Sequence, residues 1–403
     1  MSGEAIMGDP WLTIVGLGED GAEGLPPASL AALEAAEVVM GPPRHLALLP
    51  EGQAERIAWP VPFADGIAQL LALRGRRVVV LASGDPFWCG AGTVLARHFD
   101  PGEWRALPGP SCFSLAASRM GWGLESVLCL GLHAAPLSRL RPHLAPGARM
   151  VLTLRDGDAV AALAGVLCEA GFGASRVTVM EALGGPRERV TSGRADALTG
   201  DFAHPLCVAL EVAGPGATLP LASGRSDEWF ESDGQMTKRP VRALTLSALA
   251  PRPGEHLWDI GGGSGSIGIE WLLTHPSLSA TTIEPRADRA DRIRSNAERL
   301  GVDRLKVVTG AAPQALDGLE APDVVFVGGG LDGALLDWLE ARLAPGTRLV
   351  ANAVTLETEA LLLAAQGRRG GDLLRIELAR AAPLGRLRGW TASRPVVQWS
   401  VTL

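Results

Sequence analysis

With 403 residues, 47% of them hydrophobic, the chain is long enough for two buried cores, and two domains is the natural division. Its formal net charge of −7 disfavours nucleic acid as the main partner, because phosphate binding asks for a basic footprint. No apolar run reaches the roughly 18 residues of a membrane span.

Five cysteines, Cys89, Cys112, Cys129, Cys168 and Cys207, are odd in number and lack close pairing. That argues against a disulfide frame and a zinc site, so neither half is expected to need a metal. The short acidic stretch 1–9 carries no secretory pattern, and a reducing cytoplasm fits best. Lys238 and Lys306 are the only lysines and tyrosine is absent, so no arginine is singled out for its residue type alone.

In chain order, residues 11–15 read as a strand closing on Gly16 and Gly18. Residues 76–82 read as a second, whose apolar stretch 78–81 suits a buried parallel strand. Strands at 150–154 and 177–180 flank a helix over 159–170, and 207–212 is the last strand of this half. Such alternation predicts an α/β fold with parallel sheet. The Gly- and Pro-rich stretch 213–224 has neither period, which places a linker at 214–226 between domains 1–213 and 227–403. The alternation then restarts with a helix over 241–249, strand His256–Ile260, a helix over 267–273 and a strand over 280–283. It continues with a helix over 288–300, strands over 305–308 and 323–327, a helix over 331–343 and strand Arg348–Ala353.

The sharpest local signal runs from Leu257 to Gly268, a buried strand entering a glycine-rich turn that opens a helix. Glycines let a ligand approach the main chain, and the helix start supplies unpaired N–H donors. Two cofactors compete for such a turn. Gly263, Gly265 and Gly268 fit the dinucleotide pattern G-x-G-x-x-G, with Glu284 about 20 residues on as its acidic partner. One step earlier, Asp259 stands two positions ahead of Gly261, Gly262, Gly263, Ser264 and Gly265. That arrangement is typical of S-adenosylmethionine sites, where Asp259 can meet the methionine end of the cofactor. Under either reading Glu284 can accept hydrogen bonds from both ribose hydroxyls.

Around this turn, Met236-Thr237-Lys238, Gly310 with Pro313, Asp323 with Gly328, Gly329 and Gly330, and Asn352 with Glu357 follow in order. The series resembles the decarboxylating precorrin methyltransferase family over 227–403. The resemblance implies a Rossmann-like class I methyltransferase fold, with Thr237, Gly261, Gly262, Gly263, Ser264, Gly265, Glu284 and Ala312 lining the cofactor site.

In the first half, Val15-Gly16-Leu17-Gly18 and Ser83-Gly84-Asp85-Pro86 close strands, and Pro108-Gly109-Pro110-Ser111-Cys112 precedes a helical stretch over 113–120. With the order and spacing they have, they resemble the tetrapyrrole methylase family over residues 10–212. That implies a two-lobed class III methyltransferase fold with Gly84, Asp85, Ser111 and Cys112 as cofactor contacts. Two stretches depart from the family pattern. The first loop continues with Glu19 and Asp20, and the stretch Leu132-His133-Ala134-Ala135 leaves His133 reading as structural.

Together the resemblances imply methylation of a precorrin macrocycle at carbons 5 and 15 with loss of the carbon-12 acetate carboxyl, in cobalamin biosynthesis. They imply one S-adenosylmethionine per domain, a tetrapyrrole substrate, no nucleic-acid or membrane partner, and a homo-oligomer. Arg368, Arg369, Arg386 and Arg388 could clamp substrate carboxylates or form a solvated cluster. No catalytic acid or base is assigned. A nicotinamide-dependent oxidoreductase using the 263–268 loop and a non-catalytic corrinoid sensor stay open as alternatives.

Overall fold

A computed structural model describes residues 10–403, so the stretch 1–9 read above lies outside the described residues. The chain divides into two compact units. The first takes the chain to Pro136 and Ala145–Ala217; the second takes Leu137–Leu144 and Thr218–Leu403.

In the first unit, β1 (Leu12–Leu17), β2 (Val38–Gly41), β3 (Glu55–Ala58), β4 (Val78–Ser83) and β5 (Trp104–Leu107) form one parallel sheet in the order β3-β2-β4-β1-β5. Between them run α1 (Pro27–Glu34), α2 (Pro43–Ala47), α3 (Phe63–Leu71) and α4 (Ala91–Leu95), with α5 (Cys112–Met120) after the last strand. The central strands β1 and β4 are buried along almost their whole length, as a parallel sheet covered on both faces requires. The loops leaving β1, β4 and β5 are drawn together by backbone bonds. Gly84 N–H donates to the Leu17 carbonyl and Gly109 N–H to the Gly84 carbonyl, each at 3.0 Å.

A second sheet joins β6 (Leu128–Gly131), β7 (Arg149–Thr153), β8 (Arg176–Glu181), β9 (Arg189–Arg194) and β10 (Leu206–Glu211) in the order β6-β7-β10-β8-β9. Helix α6 (Asp158–Glu169) follows β7. Here the expected parallel arrangement gives way: only β6 and β7 run parallel, and the other pairs are antiparallel. The connection from β8 to β9 is a short turn, and a parallel crossover needs roughly a dozen residues.

The second unit is built on a seven-stranded sheet of order β13-β12-β11-β14-β15-β19-β16. Its strands are β11 (His256–Ile260), β12 (Ser279–Glu284), β13 (Lys306–Thr309), β14 (Val324–Val327), β15 (Arg348–Ala353), β16 (Asp372–Ile376) and β19 (Val396–Thr402). Strands β17 (Ala379–Leu384) and β18 (Leu387–Ala392) form a separate hairpin. Helices α7 (Arg239–Leu249), α8 (Ser266–Thr274), α9 (Ala287–Arg299), α10 (Gly333–Arg342) and α11 (Leu356–Arg369) complete the unit, with a buried apolar cluster on each side of the sheet. Beyond the parallel core, β19 lies antiparallel between β15 and β16. A buried polar pin fixes that insertion. Gln398 donates to Asn352 Oδ1 at 2.9 Å and to the Thr245 hydroxyl at 3.0 Å, and Asn352 Nδ2 donates to the same hydroxyl.

The strand order reverses at β11, between β12 on one side and β14 on the other. In an open α/β sheet a ligand crevice forms at such a point, beyond the carboxyl ends of the strands. The stretch 214–226 is not slack. Gly216 packs against Ala170 and Phe172 in the first unit, while Leu219 sits in a core cluster of the second.

Candidate cofactor sites

At the carboxyl end of β11 the chain turns through Gly261, Gly262 and Gly263, all half-buried, and then through buried Ser264 and Gly265 into α8. Glu284 ends the neighbouring strand β12 and is 2% exposed. Its Oε2 accepts the Gly263 N–H at 2.8 Å and its Oε1 the Arg286 N–H at 3.1 Å. The acid and the glycine turn are thus one constellation, as the sequence suggested.

Gly263 has φ +59, and a Cβ there would meet only the Gln235 carbonyl, at 3.3 Å. The Ser264 hydroxyl is buried and finds no hydrogen-bond partner among the described residues. An open backbone approach, an unpartnered buried hydroxyl and a strand-end carboxylate fit a cofactor with ribose and amino-acid ends. Ala312, half-buried, lies in the loop after β13.

Thr237 belongs to a strap, residues 231–237, that crosses the glycine turn. Arg289 on α9 holds the strap's middle, donating from Nε to Asp233 Oδ2 at 2.8 Å and from Nη2 to Gln235 Oε1 at 2.9 Å. Arg242, fully buried on α7, holds its end by donating to the Thr237 carbonyl. Arg242 also donates from Nε to Glu270 Oε1 at 2.7 Å, and the Glu270 carboxylate takes the N–H groups of Gly224 and Arg225 as well.

Asp259 is placed behind the turn rather than in it. It is 1% exposed, and its Oδ2 accepts the Gly268 N–H at 3.1 Å and the Thr282 hydroxyl at 3.3 Å. It therefore holds the first turn of α8 and the β12 strand from within.

Burial pushes the Asp259 carboxyl up to about 6, against the two hydrogen bonds that favour its charged form. A folded value above the unfolded one means that the folded state binds the proton more tightly. Stability is therefore lost as pH rises from about 4 through 6, by about 3 kcal/mol in all. Asp259→Asn keeps an acceptor for both donors and removes that slope. Its urea midpoint for the second unit, relative to the parent protein, should rise between pH 4 and 7.5. A parallel pH profile for the two proteins would show that the carboxyl does not titrate there.

In the first unit, Gly84, Asp85, Ser111 and Cys112 all line one cavity of about 480 Å³. Asp85 Oδ1 accepts the Phe87 N–H at 2.8 Å and shapes its own loop. Ser111 caps α5, its hydroxyl accepting the Ser114 N–H at 3.1 Å. The neighbouring Cys112 thiol, and then burial, push the Cys207 thiol up.

The cavity also holds side chains with no local sequence signal. His45 is 2% exposed, with Nε2 2.8 Å from Arg44 Nη2 and 3.1 Å from the Ser83 hydroxyl. Burial first, and then the Arg44 charge, lowers it to about 4, so the ring is neutral near pH 7. Glu19, where the loop departs from the family pattern, forms ion pairs with Arg44 and Arg187. His133 lines the cavity, its Nδ1 3.2 Å from the Thr153 hydroxyl.

Comparison with known proteins matches residues 11–199 to tetrapyrrole (corrin/porphyrin) methylases and residues 228–403 to the precorrin methyltransferase domain. Over 99% of this chain, and 98% of the relative, the sequence is 52% identical to a precorrin-6Y C(5,15)-methyltransferase [decarboxylating] of Sinorhizobium sp. The chain belongs to that family. Two Salmonella typhimurium relatives match it only in part. A cobalt-precorrin-6B C(15)-methyltransferase (decarboxylating) is 36% identical over 40% of this chain and 85% of its own length. A cobalt-precorrin-7 C(5)-methyltransferase is 33% identical over 32% of this chain and 63% of its own.

For a precorrin-6Y methyltransferase the arginines named from sequence divide in two. Arg369 bonds Glu340 at 3.0 Å and Arg368 lies 4.0 Å from the same residue, whereas Arg386 and Arg388 are exposed on the β17–β18 hairpin. Among the described residues no group of three or more His, Cys, Asp or Glu could hold a metal ion. No helix among them is long and apolar enough to cross a membrane.

Proposed function

We propose that this chain methylates a precorrin at carbons 5 and 15 and removes one acetate carboxyl as carbon dioxide, using one S-adenosylmethionine in each unit, in cobalamin biosynthesis. What carries the reading is the pair of separate cofactor-type sites, one in each unit, in a chain similar along its whole length to a C(5,15) enzyme. That relatives named for a single carbon match less than half of it supports the division of labour. The first unit would serve carbon 5, and the second carbon 15 and the decarboxylation. The five cysteines, all free thiols, support a reducing cytoplasm.

When bound, S-adenosylmethionine supplies an electrophilic methyl on a sulfonium. In the second unit, Glu284 would accept the ribose hydroxyls, and the 261–265 backbone with the Ser264 hydroxyl would receive the polar end. The strap 231–237 faces the turn through the Gln235 carbonyl, next to Gly263. In the first unit, the loops gathered by Gly84 and Gly109 present Asp85, Ser111 and Cys112 to the cavity, with a neutral His45 beside them. Holding the electron-rich carbon in line supplies most of the acceleration, so neither unit requires a nucleophilic side chain.

Full-length protein, methyl-labelled S-adenosylmethionine and precorrin-6Y should yield a product carrying two labelled methyl groups, with one carbon dioxide released. Binding of both ligands without turnover would identify a sensor. Preference for NAD over S-adenosylhomocysteine in a calorimetric titration would instead restore the oxidoreductase reading of the 263–268 loop.

A further inference from the structure

Asn296 lies on α9, fully buried, between the strap and the glycine turn. All four hydrogen-bonding positions of its amide are used. Nδ2 donates to the Glu231 carbonyl at 2.9 Å and to the Ser264 carbonyl at 3.0 Å. Oδ1 accepts the Glu231 N–H at 2.9 Å and Arg299 Nη2 at 3.0 Å. A single side chain thus grips both backbone groups of the residue that begins the strap, and the backbone of the glycine turn as well.

We propose that Asn296 is a positioning residue for the cofactor, setting the height of the strap above the Gly263–Ser264 turn and with it the second unit's affinity for S-adenosylmethionine. The inference rests on the reading of that turn as the cofactor site. From Glu231 the strap reaches the Gln235 carbonyl, which faces Gly263, and then Thr237. Its middle is held from the surface by Arg289, through groups partly open to water, where such contacts are weak. The Asn296 amide works in a water-free setting, where a lost donor leaves two carbonyls unpaired and a misplaced acceptor repels them. The register of the strap therefore depends on this amide more than on any surface contact.

Full-length protein titrated with S-adenosylhomocysteine tests this, the second unit's binding being defined as the part lost in Gly263→Val. Asn296→Asp keeps both acceptors but sets an oxygen against the Glu231 and Ser264 carbonyls. It should weaken that binding about tenfold or more and leave the remaining binding unchanged. The KM for S-adenosylmethionine in decarboxylation should rise with little change in kcat, a split that loss of stability alone would not produce. Asn296→Ala removes the donors without setting an oxygen against the carbonyls, and should weaken the same binding several-fold. A folded Asn296→Asp protein with the parent affinity overturns the inference. If that variant does not fold, the parent affinity in a folded Asn296→Ala protein overturns it instead. If Gly263→Val leaves all binding intact, the cofactor-site reading falls, and the role of Asn296 falls with it.

Discussion

Gly263→Val should abolish decarboxylation and carbon-15 methylation while carbon-5 methylation survives, and Gly84→Val should do the reverse. Both glycines hold left-handed backbone, with φ +59 and +51, where a β-branched residue is strained. At Gly263 the added methyls enter the space in which the cofactor would meet the main chain. At Gly84 even a Cβ would lie 2.7 Å from the Pro110 carbonyl and 3.0 Å from Ser111 Cα, so the start of α5 must move. Misplacement by an ångström at a reacting centre costs on the order of a hundredfold, and each substitution should remove at least that from one activity. Product mass separates the outcomes: one methyl gained, or one methyl gained with carbon dioxide lost. If either substitution silences both activities in a folded protein, the two reactions share a site and the assignment to separate units is wrong.

A fragment beginning at residue 218 should fold, and one beginning at residue 227 should be crippled. Residues 218–226 carry Leu219, 4% exposed in the core cluster, and the Gly224 and Arg225 N–H groups that bond Glu270. Glu270 and Arg242 are both fully buried, and Arg242 also donates to the Arg225 carbonyl. Cutting at 227 leaves a buried carboxylate short of partners, which costs about 3–5 kcal/mol, and an emptied leucine site adds about 2–5 more. Against a domain stability of about 5–15 kcal/mol, that loss is most or all of the total. Both fragments lack Leu137–Leu144, so the comparison between them is unaffected by that segment. Urea unfolding of the two should differ by several kcal/mol, and equal midpoints would show that the 218–226 segment is dispensable.

Strands with a dense apolar run between polar ends were legible at once: His256–Ile260 and Arg348–Ala353 lie where the pattern put them. Several strands without such a run went unread, and so did the short β2, whose run is only three residues long. Strand β9 (RVTSGR) has no buried position, and β17 and β18 are mostly exposed. Strand β19 hides its core character behind Gln398, a polar residue made acceptable by bonds to Thr245 and Asn352 from distant parts of the chain. The same distance effect governs the sites. The glycine turn was readable because strand, turn and helix are contiguous, and Glu284 falls at the end of the next strand. Asn296 reaches Glu231 across 65 residues and Arg242 reaches Glu270 across 28, and no local pattern marks such pairing. Asp259 was legible as an acid near the turn, but which way its carboxylate faces depends on Gly268 and Thr282, and only folding decides that. His45 follows a strand, β2, that the sequence did not reveal, so its arrival in the first cavity had no forerunner.

The place of β19 bears on how the chain folds as it is made. The strands of the first unit are all present once Glu211 has left the ribosome, so its sheets can close while the second unit is still being synthesised. The second sheet cannot close in that way, because β19 pairs with both β15 and β16 and carries the fully buried Trp399. Until Val396–Thr402 emerges, β15 keeps an open edge and its neighbours face water with unfilled apolar surface. A nascent chain stalled before that strand presents a sticky sheet edge of the kind that chaperones hold. Completion of the second sheet thus waits on Val396–Thr402, the last of the described strands to be made.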